Sequence, residues 1–259
     1  MSRDTVRQGL VIAALVATIG LNGLANALPL NGQTTGDVAN AFPTFFTPAS
    51  YVFSIWGVIY LGLIAYAGFQ VLPAQRNNPR LQAIGGWFLL SCVANCGWLV
   101  LWHYEYFALT MLAMLALLFA LIMIYVRLQV GRRDLPASER WLVHGPFAVY
   151  LGWVTVATIA NASVVLYNLG WNGFGITGPA WAALLLVIAT GIGAAIVLRR
   201  ADWGYGTVLV WAFIGIVIKY AATSVIAVTA GVAATIMALL IVVALMRGPT
   251  RGSGVAQTG

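Results

Sequence analysis

Three side-chain amides, Asn22, Asn95 and Asn161, stand inside apolar runs long enough to cross a bilayer. An amide that faces lipid has no partner, and stranding it costs several kcal/mol at the upper end of the scale. These three must therefore face protein or a wet cavity. Aromatic residues flank them at helical spacing. Trp153, Ala157 and Asn161 step by four, so on a helix they share one face, with a ring, a gap and an amide in turn. Trp98 follows Asn95 by one turn, and Tyr60 follows Trp56 by one turn. The chemistry this offers is recognition: a few fixed polar groups in an aromatic wall suit a flat, largely apolar ligand. The same residues admit a structural reading, in which Ala157 and Ala160 let helices approach and the amides bond across.

Bond-breaking chemistry is poorly supplied. His103 and Glu105 lie two apart, so not on one helical face, and read as interfacial polar residues. His144 falls in a different, arginine-rich region. There is no HExxH, no Gly-rich phosphate cradle and no Ser-His-acid set. Cys92 and Cys96, four apart in one apolar run, read as small core residues, since two sulfurs are too few for a structural metal site. Lys219 would suit a retinal Schiff base, but no helix interior offers an acidic counter-ion. It falls where the chain must turn, and there it can snorkel outward. No metal or obligatory cofactor is expected.

The elements that position these residues follow from composition. The chain has 259 residues, 61% of them hydrophobic and 7% charged. A soluble domain keeps about a quarter of its residues charged, so this chain belongs in a lipid bilayer. Its net charge of +7 does not point to nucleic acid, because the arginines fall in short clusters between apolar runs. Six runs are separate: 9–28, 49–72, 81–102, 106–126, 142–167 and 179–198. The stretch 204–246 is too long for one crossing and predicts two helices with a turn near 220–224. The fold expected is an all-α, polytopic membrane helix bundle of about eight transmembrane helices.

If eight helices alternate, twelve of the thirteen cations fall on one side and only Lys219 on the other. Cationic loops stay cytoplasmic, so the expectation is a multi-pass protein of the cell's cytoplasmic membrane with both termini inside. The first run also resembles a secretory signal, with Arg3 and Arg7 before it and Ala25-Asn26-Ala27 following its apolar core. Its length favours a retained helix. The longest outer segment, 29–47, reads either as a connector or as a lid. The segment 127–141 reads as a solvated charged connector, and 249–259 as a disordered tail. Gly191, Ala195, Ala230 and Ala234 offer small residues for tight packing.

Counting residues to the helix ends gives depth. Asn22, Asn95 and Asn161 each lie six or seven positions from the outer end of their runs, roughly 10 Å down. Trp56 enters from that side and reaches a similar level. Three amides and an indole thus meet at one depth, either as interhelical bonds or as the walls of an outward-facing cavity.

These residues also carry a family resemblance. The stretch Phe46-Thr-Pro-Ala-Ser-Tyr-Val-Phe-Ser-Ile-Trp56-Gly-Val-Ile-Tyr60 resembles the start of the second helix in the tryptophan-rich sensory protein family, also called the translocator or peripheral benzodiazepine receptor family. Asn95-Cys-Gly-Trp98 is similar to its third helix, and Pro146 to Asn161 to its fifth. The resemblance covers about residues 8–170. It implies a five-helix ligand-binding core over 1–170, with three added helices over 171–248. It also implies binding of porphyrins or other hydrophobic molecules beneath the first loop, with pocket roles for Trp56, Asn95, Trp98, Trp153, Ala157, Ala160 and Asn161. Asn22 and Tyr60 join this set on the depth argument. Two departures stand out: where the family usually has two adjacent prolines before the second helix, only Pro48 stands near Ala49-Ser50, and no cation follows Tyr167, so sterol binding is not implied. The expected function is a membrane receptor or sensor for a porphyrin-like tetrapyrrole. The alternative is a transporter of such molecules, and porphyrin breakdown is a weaker enzymatic one. A homodimer is left open. The added helices would complete a larger bundle, replace a dimer partner or do something new.

Overall fold

The computed structural model describes residues 3–132 and 135–247, and the regular structure among them is helical, with no strand. Eight apolar helices make the bundle. They are α1 (Arg3–Ala27), α2 (Ile55–Gln70), α3 (Pro79–His103), α4 (Phe107–Leu128), α5 (Gly145–Asn168), α6 (Gly178–Arg200), α7 (Trp203–Lys219) and α8 (Ser224–Arg247). Seven of these segments are long and apolar enough to cross a membrane. The 17 residues of α7 rise about 25 Å, the short end of the spanning range. The predicted division of 204–246 is found, with the turn at residues 220–223. The proposed tail 249–259 lies outside the described residues.

Local chemistry sets the helix starts. Asn78 accepts a hydrogen bond from the Arg80 N–H and Pro79 follows at the first position, where a missing N–H costs nothing. Asp202 caps α7 through the Tyr205 N–H. Between α4 and α5 the chain passes so close to the end of α6 that a Cβ on Gly131, which has φ +75°, would sit 1.7 Å from the Arg200 carbonyl oxygen. Only glycine fits both that conformation and that gap.

The hub is α5, which packs on α2, α4 and α7. α3 lies between α1 and α4, while α6, α7 and α8 form a set joined to the rest mainly where α7 meets α5. Gly152 makes that contact close: a Cβ there would lie 3.0 Å from the Tyr205 carbonyl oxygen. Both termini of the described chain lie at one end of the bundle with the arginine-bearing turns. There Arg7 donates to the Gln70 side chain and to the Leu81 carbonyl, and Gln8 donates to the Gln70 carbonyl.

Two expectations are corrected. The connector between α4 and α5 is not simply solvated: Glu139 is 3% exposed and takes a bidentate pair from Arg80 at 2.5 and 2.6 Å, and His144 is buried too. A π-turn over Arg140–His144 leads from it into α5. Of the small-residue pairs, Ala230 and Ala234 are buried, but Gly191 and Ala195 are exposed. Ala189 and Gly193 take the packing role in α6, where a Cβ on Gly193 would meet Leu209 at 2.5 Å.

Candidate functional site

The amides do not form one layer but two hydrogen-bonded groups. Asn22 of α1 donates to the Asn95 side-chain oxygen of α3 at 2.8 Å, and Asn95 donates to the Tyr150 hydroxyl of α5 at 3.2 Å. Asn95 is completely buried and Asn22 nearly so. One turn higher, Asn161 accepts from the Trp98 indole N–H and from the Thr110 hydroxyl, both at 3.0 Å, and its NH2 lies 3.5 Å from the Met111 sulfur. Trp56 joins the groups. Its ring stacks on Tyr60 at 5.5 Å and meets Tyr150 and Trp153 edge to face at 5.9 and 6.2 Å.

Between these rings is a small cavity of about 40 Å³. Trp56, Trp98, Trp153, Ala157, Ala160 and Asn161 line it, six of the nine residues singled out from the sequence. Asn22, Asn95 and Tyr60 do not. The first two form the layer of hydrogen bonds next to it, and Tyr60 backs Trp56 with its own hydroxyl buried and unpartnered. Trp153 is 3% exposed, and its indole N–H also has no partner. The space holds a few waters at most, against about 300–1,000 Å³ for small-molecule sites in general.

The segment 29–54 closes the loop end. It carries a helix, Thr35–Asn40, started by a reciprocal cap: the Thr34 hydroxyl accepts from the Asp37 N–H, and the Asp37 carboxylate accepts from the Thr34 N–H. Hydrogen bonds from the Thr34 hydroxyl and backbone hold the Asp37 carboxyl below the usual carboxylate range. The segment is fastened on both sides. Trp102 donates to the Thr35 carbonyl, and Asn31 donates to the His103 carbonyl. On the other side Ala49 N–H donates to the Gly215 carbonyl, Trp211 donates to the Val52 carbonyl, and Lys219 donates to the Asn40 side chain at 2.6 Å. Thr35, Ala39, Thr47 and Pro48 also line the cavity.

Sequence reasoning missed several wall residues. Trp102 reads as an interface anchor because it ends a helix, yet it is 3% exposed and stacks on Trp98 at 5.4 Å. His103 is not interfacial: it is fully buried under the loop, with Nδ1 2.8 Å from the Leu99 carbonyl oxygen. Phe53 reaches the wall from the 3-10 turn before α2. For Trp102 the available signal was its one-turn spacing from Trp98. Among the described residues no group of His, Cys, Asp or Glu is placed to hold a metal ion.

A family model described as "TSPO-like protein" matches residues 8–243. The match runs past residue 170, where the motif resemblance stops, and takes in α6, α7 and most of α8. No curated protein and no solved structure matches the chain.

Proposed function

Because the chain belongs to the TSPO-like protein family, a set of multi-pass membrane proteins, we propose that it is a receptor or sensor for a flat hydrophobic ligand of the porphyrin type. The site is the Trp- and Asn-lined cavity under the 29–54 segment. The observation that carries this reading is Trp153: its buried N–H lacks an acceptor in the wall of a cavity where Trp98, Trp102 and Asn161 are hydrogen-bonded. A buried donor left unmade costs about 1–3 kcal/mol, which a ligand acceptor would recover. The cavity is too small for a porphyrin, so binding requires the 29–54 segment to lift and the rings of Trp56 and Trp102 to move.

The test is quenching of tryptophan fluorescence titrated with protoporphyrin in detergent. Saturable quenching is expected, with Kd weakened roughly tenfold, or about 1.4 kcal/mol, by Trp56→Phe and by Asn161→Leu. Quenching that is equally strong in both variants places the ligand elsewhere. The bias of cations to one end supports insertion in the cytoplasmic membrane with the arginine end inside. A Gln75→Cys thiol should then resist an impermeant reagent in intact cells, whereas a Gln33→Cys thiol should react.

Transport is the second reading, favoured by a larger cleft whose wall begins near the next turns of α2 and α5. It predicts accumulation of porphyrin inside protein-loaded vesicles; binding without uptake rejects it.

A further inference from the structure

The residues that line the cavity under the 29–54 segment are uncharged. A carboxylate pressed into such a wall would be buried and unpaired, which costs far more than stranding a neutral group. A flat ligand that carries an acid must therefore point it out of the cavity, towards the loop end. Lys219, the last residue of α7, stands there, at the end of the helix away from Arg200. One turn earlier on the same face is Gly215, which is packed against Val52 and the wall residue Pro48. Lys219 thus sits about 6 Å outward of the place where α7 meets the cavity wall. Its ammonium donates to the Asn40 side-chain oxygen at 2.6 Å and lies 5.5 Å from the centre of the Tyr220 ring. Asn40 directly follows Ala39, another wall residue.

Both of these partners are neutral. The carboxylates described at this end are engaged with other groups: Asp37 accepts from the N–H and hydroxyl of Thr34, and Glu105 accepts from the Gln33 amide. An ammonium binds an ionised oxygen more strongly than an amide oxygen, so an incoming carboxylate can displace Asn40 from Lys219. The ammonium is also partly buried, where a charge pair is screened less than at a free surface. Asn40 belongs to the segment that has to lift for a ligand to enter. Losing its bond to Lys219 undoes one of the fastenings on the α7 side.

We propose that Lys219 receives a carboxylate of the ligand, and that it trades its hydrogen bond to Asn40 for that carboxylate as the 29–54 segment lifts. The ligand class is then a flat apolar ring system with a free acid on a short side chain, such as a porphyrin with ionised propionates, in preference to its neutral ester. This role presupposes the cavity site proposed above and adds to it the charge of the ligand and a link between that charge and opening.

Tryptophan quenching of the full chain in detergent, titrated with protoporphyrin and separately with its dimethyl ester, tests the role. The acid should bind roughly tenfold more tightly than the ester. Lys219→Met should remove that advantage by weakening the acid alone, and Lys219→Arg should restore most of it. Asn40→Ala tells a receptor from a mere latch: it frees the ammonium, so the acid should bind at least as tightly as to the unaltered protein. Equal affinity for acid and ester, a Lys219→Met variant that changes both ligands alike, or an Asn40→Ala variant that weakens the acid as Lys219→Met does, overturns the proposal and leaves the cavity reading in place. No saturable quenching by either ligand overturns both. Should Lys219→Met fail to fold, Asn40→Asp sets a carboxylate of the protein's own against the ammonium and must weaken the acid but not the ester; unchanged affinity for the acid there overturns the proposal as well.

Discussion

Asn161 and Asn95 look alike in the sequence and do different work in the protein. Asn161 holds the Trp98 indole and the Thr110 hydroxyl at the edge of a cavity. Asn95 is sealed between Asn22 and Tyr150. Replacing either by Leu leaves a buried donor without an acceptor, so each should cost about 1–3 kcal/mol of stability. Only Asn161→Leu should also weaken porphyrin binding; Asn95→Leu should lower the thermal midpoint while Kd stays within roughly twofold. Melting curves and titrations on the same samples separate the two roles. An equal loss of affinity in both variants would show that the hydrogen-bonded layer and the cavity act as one unit.

Among the elements, the 29–54 segment is held by hydrogen bonds at Asn31, Thr35, Asn40, Ala49 and Val52 and by one helix cap at Thr34. The cap should respond to pH in a defined direction. Asp37 has a lowered pKa in the folded protein, so its contribution is complete above the unfolded value and is lost as pH falls through the folded one, below about 4. Amide exchange over residues 35–40, corrected for intrinsic rates, should therefore quicken below that pH, and Asp37→Asn should make it insensitive to acid. The other fastening is steric. A Cβ at Gly215 would lie 2.2 Å from Val52 and 3.2 Å from Pro48. Gly215→Ala should push α7 off the segment, raising exchange at residues 47–54 with little effect on α3 or α4. Unchanged exchange there would mean that α7 does not hold the segment shut.

For the whole molecule, the question is what α6 to α8 add. Gly152 and Ala148 of α5 are pressed against the start of α7 at Gly204 and Tyr205, and α7 also grips the loop through Gly215 and Lys219. A chain ending at residue 170 would uncover that face of α5. It should dimerise through it or aggregate, as light scattering in detergent would register. A stable monomer would show that α7 is an accessory rather than a stand-in for a partner.

The sequence alone determined the solvent, the number of helices and a turn near 220–224. Each of these depends on local quantities: hydropathy summed over a run, charge between runs, and rise per residue. The motifs around Trp56, Asn95 and Asn161 likewise placed six residues on one cavity wall, because helical spacing fixes which side chains share a face. What faces that face is not a local property. Trp102 and His103 look like helix-end residues until the 29–54 segment folds over them. Asn95 looks like a ligand contact until Asn22 and Tyr150 take up its hydrogen bonds. Lys219 and Asn40 meet at the loop end from widely separated parts of the chain. Spacing along one helix is silent about such meetings, since burial and pairing are set by which helices pack together; that was decided only when the bundle closed.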